Sequence, residues 1–323
     1  MKKTTLLLIF SVILCACTTK NDKKYLPDSV GAMNSLYLVM DNELWNGEVG
    51  DELRKYFAAP VDGLPWEEPL FSIQQMPGEI FSGFTRNSRN ILVVSKDSTA
   101  RYGVKDNLYA KPQKVAVVEA PTEDSLIQLI QKHAPDLVAL YKAHDIKENQ
   151  RRMKRSLNKE NKLEETFGIS LTMPSVYSTS KQEGNFIWME RQIPKGTMNI
   201  IVYELPLRAI PTDSTRVDAI IKMRDSIGEK HIPGRDEGTY MITEKAYAPY
   251  VFDAKLDGKE AIETRGMWEV KGFFMAGPFL NYIVKDEANN RLLVLEGFTF
   301  APSTSKRNYM FELEAILKSL KIK

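Results

Sequence analysis

The chain has 323 residues, 44 basic and 42 acidic, for a formal net charge of +2. Lys2 and Lys3 belong to an N-terminal segment expected to be removed, and 42 residues of each sign remain without them. A neutral body carries no electrostatic footprint for nucleic acid. Apolar residues make up 43%, enough for a packed core, so a chain disordered throughout is excluded.

Met1-Lys2-Lys3 is followed by an apolar run from Leu6 to Leu14, broken only by Ser11. A transmembrane helix needs about 20 apolar residues to cross ~30 Å of hydrocarbon. This run is too short and reads as a secretory signal. It ends in Leu14-Cys15-Ala16-Cys17, which holds both cysteines of the chain. A disulfide between them closes a strained loop. A metal site lacks further ligands nearby. The third reading is a bacterial lipobox, in which the last cysteine is acylated and becomes the mature N-terminus. Cys17 is then the lipid attachment point and Cys15 leaves with the signal. Multiple acyl chains, at ~0.8 kcal/mol per buried methylene, hold such a protein on the bilayer. The polar, lysine-rich stretch Thr18 to Asp28 reads as a tether.

The elements of the body follow in chain order. Ser35 to Asp41 is a predicted strand, and Glu48 to Phe57 has helical spacing of Val49, Leu53, Tyr56 and Phe57. Strands are expected at 70–76, 90–95 and 113–119. A helix opens after Pro121-Thr122 and runs to about His133; Pro135 is expected to interrupt it before a second, polar helix towards Lys162. In the second half strands are expected at 170–173, 186–192, 198–204, 239–243, 250–255, 264–275, 279–285 and 291–300. Asp286 to Asn290 is a hairpin turn. Helices are predicted over 214–229 and 306–320, each with one apolar face.

The fold class is therefore α+β: antiparallel sheets with helices packed on one face. The halves share an order of elements, each ending in a helix entered through Ala-Pro (Ala120-Pro121, Ala301-Pro302), which raises the possibility of two similar subdomains. The expected organisation is a signal peptide (1–16), a lipidated tether (17–30), an N-terminal subdomain with a long helix (31–165) and a C-terminal subdomain (166–323).

No catalytic constellation emerges. His133 and His144 are eleven residues apart, about 16 Å along a helix, so they are not joint metal ligands; no metal or cofactor is expected. No glycine-rich phosphate loop occurs. Ser303-Thr304-Ser305-Lys306 has the Ser-x-x-Lys spacing of penicillin-recognising enzymes without their companion motifs, and a helix N-cap at Ser303 or Ser305 explains it better. In GLPWEEPLF (Gly63 to Phe71), Trp66 with Glu67 and Glu68 could face a sugar, but adjacent residues of an extended segment point opposite ways, and burial of Trp66 in a rigid turn is the simpler account. Arg151, Arg152, Lys154 and Arg155 share their helix with several acids, as in a solvated, ion-paired helix. ETRGMWEVKGFFMAGPF (Glu263 to Phe279) is the most unusual stretch. Arg265 and Trp268 in it form a candidate recognition pair; the competing account is a bulged core strand with Arg265 in a buried ion pair.

The body resembles an uncharacterised family of Bacteroidetes lipoproteins, the domain of unknown function 4837. The resemblance rests on Leu26-Pro27-x-Ser29, Leu44-Trp45-x-Gly47, GLPWEEPLF, Ile232-Pro233-Gly234, TRGMWEVKGFFMAGPF, GFTFAP (Gly297 to Pro302) and Lys306-Arg307-Asn308-Tyr309. Ala276 departs from the glycine expected there. The resemblance implies a lipid-anchored envelope protein and carries no catalytic residues. With one acid in Thr18 to Asp22, the periplasmic face of the outer membrane is favoured over the cell surface. The functional expectation is a non-enzymatic binding module held to the bilayer through acylated Cys17. It engages an envelope protein or glycan through Trp66, Arg265 or Trp268. The alternative is an envelope hydrolase of glycan or peptide using carboxylates such as Glu67 or Glu68.

Overall fold

The computed structural model describes residues 25–323; the signal segment and Cys17 lie outside the described residues. The first half opens with β1 (Ser35–Val39), α1 (Asn42–Asn46) and α2 (Glu48–Phe57). The helices carry the chain over the sheet, so β2 (Ser72–Met76) returns parallel to β1. β3 (Asn90–Lys96) flanks β1 on the other side, also parallel. β4 (Arg101–Asp106) and β5 (Lys114–Ala120) complete the order β2-β1-β3-β5-β4, in which only β4 runs antiparallel to its neighbour.

This sheet corrects the antiparallel expectation for the first half. The continuous apolar runs Ile91 to Val94 and Val115 to Val118 are those of strands buried on both faces. One face packs on α2 and on α3 (Glu123–Met153) through Leu53, Phe57, Leu126, Ile130 and Tyr141. The other, with Val39, Ile91 and Val115, lies under Phe81 and Tyr109 from loops. Thr122 caps α3, accepting from Ser125 N at 3.2 Å. Pro135 does not divide this helix. Losing one helical hydrogen bond is outweighed by Leu126, Ile130, Ala134, Leu137 and Tyr141, which bury one continuous stripe on the sheet.

The second half begins with α4 (Lys162–Phe167), β6 (Ile169–Ser170), β7 (Ser178–Glu183), β8 (Phe186–Ile193), β9 (Gly196–Pro206) and α5 (Arg216–His231). It continues with β10 (Met241–Thr243), β11 (Tyr250–Leu256), β12 (Lys259–Val270), β13 (Phe273–Asp286), β14 (Arg291–Phe300), α6 (Arg307–Leu317) and β15 (Lys321–Ile322). The main sheet is antiparallel throughout, in the order β10-β12-β13-β14-β9-β8-β7, with β11 also paired to β12. The β12–β13 hairpin turns at Lys271-Gly272, with Gly272 at φ +79°. The break between the strands expected at 264–275 and 279–285 falls instead inside β13.

Both faces of this sheet carry helices, contrary to the one-face expectation. Leu293 and Leu295 of β14 pack toward α6, and Leu292, Val294 and Phe298 toward α5. A parallel-rich five-stranded sheet and an eight-stranded antiparallel one are not copies of one unit, so the proposed similarity of the halves fails.

The long helix α3 joins the halves. Its last turns place Ile146 and Met153 in the second core, and Gln150 Nε2 donates to Ala315 O of α6 at 2.8 Å. At this junction Glu314 of α6 is buried. It meets Lys142 of α3 at 3.1 Å, Lys318 at 2.7 Å and Arg265 of β12 at 2.9 Å. The Arg265 contact is an ion pair without hydrogen-bond alignment. Burial raises the Glu314 pKa, but Arg265, Lys142 and Lys318 outweigh it and hold the carboxyl well below the usual range. A carboxylate depressed in the folded state contributes stability above its unfolded pKa of about 4.3, and that contribution disappears as pH falls through the folded value. Glu314→Gln is expected to cost about 3–5 kcal/mol at neutral pH, with wild type and variant converging as pH drops below about 4. Urea unfolding across a pH series checks this, and a constant difference at all pH values would contradict it.

Candidate functional site

The segment Pro60 to Pro69 leaves the first half and lies on the second. Its base is a short antiparallel bridge, with Val61 N donating to Glu68 O at 2.9 Å and Leu70 N to Ala59 O at 2.8 Å. Gly63, at φ +79°, lies so close to β12 that a Cβ there would come within 2.9 Å of Gly266 N. The following residues divide by direction. Glu68 turns inward to the first turn of α6, accepting from Lys306 N at 2.7 Å, Arg307 N at 3.0 Å and the Ser305 hydroxyl. Glu67 and Trp66 face out.

Glu68 therefore supplies the helix cap that the sequence assigned to Ser303 or Ser305. No side chain adjoining α6 in sequence caps it. The helix amides and dipole favour the anion. Burial pushes the Glu68 pKa up, and the amides of Lys306 and Arg307 with Ser305 more than offset this, leaving it below the usual range. A carboxylate so engaged is not a proton donor at neutral pH. With Glu67 on the opposite side, the two acids do not face a common substrate.

Trp66 is half exposed, not buried as the turn reading had it: 52% of its surface is open. Lys306 Nζ lies 4.0 Å from the ring centroid. Across from Trp66 stands the connection from β10 to β11, with Tyr247 80% and Tyr250 50% exposed. Tyr250 stacks on Phe252 at 6.5 Å. Glu244 braces this connection, its N donating to Met267 O at 2.9 Å and its Oε1 accepting from Ala246 N at 2.6 Å. Between the walls runs a groove of about 670 Å³. Its charged lining residues are all acidic: Asp62, Glu67 and Glu244. Tyr247, Tyr250 and Glu244 were not singled out in the sequence; the only signal was the cluster Tyr247-Ala248-Pro249-Tyr250 between two strands.

Arg265 and Trp268 do not form a recognition pair. They lie three apart on β12, and side chains on a strand alternate. Arg265 points to the α6 face, where its Nε donates to Glu263 Oε1 at 2.6 Å and it pairs with Glu314. Glu263 in turn accepts from Tyr282 OH at 2.7 Å. Trp268 points to the α5 face, buried against Phe298. A bulge between Glu269 and Val270 follows. The core reading of this strand holds for Arg265. Trp268 also lines a smaller cavity, separate from the groove.

The histidines are dispersed. His133 stacks on Tyr102 at 3.8 Å, His144 Nδ1 contacts Asn90 Oδ1 at 2.9 Å, and His231 stacks on Phe186 at 4.0 Å. Among the described residues no group of three or more His, Cys, Asp or Glu side chains is arranged to hold a metal. Arg151 and Arg152 both bind Glu148, at 2.6 and 2.7 Å, as an ion-paired helix face. No helix among the described residues is long and apolar enough to cross a membrane.

By architecture this is an α+β protein with a mixed sheet and an antiparallel sheet joined by one helix. Residues 156–319 match the family described as a domain of unknown function, DUF4837, and the chain belongs to that family. Residues 29–154 match a second domain of unknown function, DUF8532. No curated protein matches the chain. Among solved structures it is similar to a Pseudomonas aeruginosa protein of unknown function, at 12% identity, with 48% of this chain and 97% of that chain covered and a TM-score of 0.28.

Glu68→Ala is expected to lower unfolding stability by about 1–2 kcal/mol through loss of the cap. Glu67→Ala is expected to change it by less than about 0.5 kcal/mol. Equal effects in denaturant titrations would contradict the division of roles between the two acids.

Proposed function

We propose that the protein is a lipid-anchored module of the cell envelope. It is tethered through Cys17 on the periplasmic face of the outer membrane and works by binding rather than catalysis. The anchor rests on the sequence, with its basic start, short apolar run and Leu-Cys-Ala-Cys. The binding role rests on one observation: Trp66, Tyr247 and Tyr250 stand exposed around a groove whose charged lining is wholly acidic. Exposed aromatic rings attract cations through their faces, and the acids add Coulombic attraction at the rim. Lys306 over Trp66 is an internal example of the same contact. The occupant is a segment of an envelope protein that presents lysine or arginine beside apolar side chains. The hydrolase reading loses its support because Glu68 is committed to the α6 cap.

Two outcomes are expected. In fluorescence-anisotropy titrations, an apolar peptide bearing several lysines binds the full-length protein in detergent, and added salt weakens it. Trp66→Ala and the double variant Glu67→Gln/Glu244→Gln each weaken it by about tenfold, equivalent to about 1.4 kcal/mol, without lowering the melting temperature. Equal binding of an acidic control peptide, or no effect of these substitutions, overturns the groove assignment. Independently, intact-mass analysis of membrane-purified protein is expected to show acyl mass at Cys17 in the wild type. Cys17→Ala is expected to lose that mass and the membrane association with it. A wild-type chain free of acyl mass overturns the anchor.

A further inference from the structure

The described chain begins at Tyr25, exposed and eight residues after Cys17. Those residues reach at most about 29 Å when fully extended, so the anchor proposed above keeps the entry point of the body close to the bilayer. The entry segment is fixed on the first half. Ser29 N donates to Lys111 O at 3.1 Å and Val30 N to Asn87 O at 2.9 Å. Arg89 donates to Gly31 O and Ala32 O at 3.1 and 2.6 Å, and its Nε to Asp145 Oδ1 of α3 at 2.7 Å. Asn34 N donates to the other oxygen of Asp145, also at 2.7 Å. The segment therefore passes beside the last turns of α3.

Arg151 lies six residues beyond Asp145 on that helix, about 9 Å along its axis. Glu148 raises the Arg151 pKa by hydrogen bonding, and the charge of Asp28 adds to the effect, as expected of an acid on an entry segment close to the helix end. Glu148 takes both Arg151 and Arg152, which leaves one positive charge in excess. Lys154 and Arg155 follow, both exposed, with no ion-pair partner among the described residues. Apolar side chains lie directly beside them. Leu157, 41% exposed, bridges to Pro174, and Ser175 N donates to Ser156 O at 2.9 Å, which sets Val176, 59% exposed, alongside. A helix dipole accounts for cations at a C-terminus. It does not account for exposed aliphatic side chains next to them.

We propose that this end of the protein rests on an anionic phospholipid surface, with Lys154 and Arg155 among the headgroups and Leu157 and Val176 at their apolar boundary. The inference rests on the anchor at Cys17. The acyl chains supply retention, and the basic and aliphatic side chains supply orientation. Lysine and arginine close to an anionic surface are attracted within a Debye length, and aliphatic side chains gain by leaving water. Each contact is weak alone. A tethered body meets the lipid at a high effective concentration, which makes a weak contact sufficient. The body is then held in one orientation on the bilayer.

Both cysteines of the sequence precede Tyr25, and neither is a free thiol in the mature acylated chain, so one introduced cysteine can carry a polarity-sensitive dye. Membrane-purified acylated protein is labelled at Val176→Cys or at Ser226→Cys, the latter on α5 over the opposite face of the antiparallel sheet. It is reconstituted in vesicles of phosphatidylethanolamine with or without phosphatidylglycerol. With phosphatidylglycerol, the Val176 dye is expected to shift to the blue and to be quenched by acrylamide about threefold less than in non-ionic detergent. The Ser226 dye is expected to behave as in detergent. Omission of phosphatidylglycerol, added salt, or Lys154→Glu/Arg155→Glu is expected to restore quenching at Val176, and the double variant, at exposed positions, to keep the wild-type melting temperature. Equal shielding of both dyes, or shielding at Val176 that survives charge reversal or omission of the anionic lipid, overturns the proposal. So does a Val176 dye quenched as in detergent on protein that stays with the vesicles, a result that leaves the anchor standing. Protein that does not stay with the vesicles overturns the anchor and this inference with it.

Discussion

A single buried carboxylate lies where every major part of this protein meets. Glu314 sits on the helix between the two cores and takes Lys142 from the long helix, Arg265 from the antiparallel sheet and Lys318 from its own helix. Burying an ion is expensive unless its partners are fixed in place. The site therefore ties the position of α3 to that of α6 and of β12. A shift of any one leaves charge unpaired in a dry environment, so the halves are held in one register by electrostatics as well as by packing.

The groove is a product of that register. Its near wall, Pro60 to Glu67, belongs to the first half. Its far wall, Glu244 to Tyr250, belongs to the second. Glu68 fastens the near wall by capping α6, and the close approach of Gly63 to Gly266 sets it against β12. A residue that looked like half of a catalytic pair is thus a structural anchor. Its neighbours Trp66 and Glu67 are left exposed on the groove wall. On the other face of β12, strand alternation sends Trp268 away from Arg265 and into a separate aromatic cluster with Phe298 and Phe300.

Much of the fold was legible. The α+β class, the helices over 48–57 and near 214–229 and 306–320, and most strands of the second half follow from apolar periodicity, which is a local property. The parallel pairing of the first sheet was also written in the sequence, in the unbroken apolar runs of β3 and β5, but those runs were read only as strands. The edge strands β4 and β7 were not visible, because Arg101 to Asp106 and Ser178 to Glu183 are polar and owe their conformation to a neighbour's hydrogen bonds. Pro135 misled because local helix cost does not report the packing that overrides it.

The sequence alone showed that Cys15 and Cys17 are the two cysteines of the chain and raised the lipobox proposal at Leu14 to Cys17, since composition and short contiguous motifs need no tertiary context. Only the tertiary structure decided what Glu68, Arg265 and Trp268 do. Each owes its role to a partner far away in the chain: the amides of Lys306 and Arg307, the carboxylate of Glu314, and the rings of Phe298 and Phe300. Side-chain direction and burial set which of these neighbours a residue meets, and neither is fixed until the sheets and helices have packed.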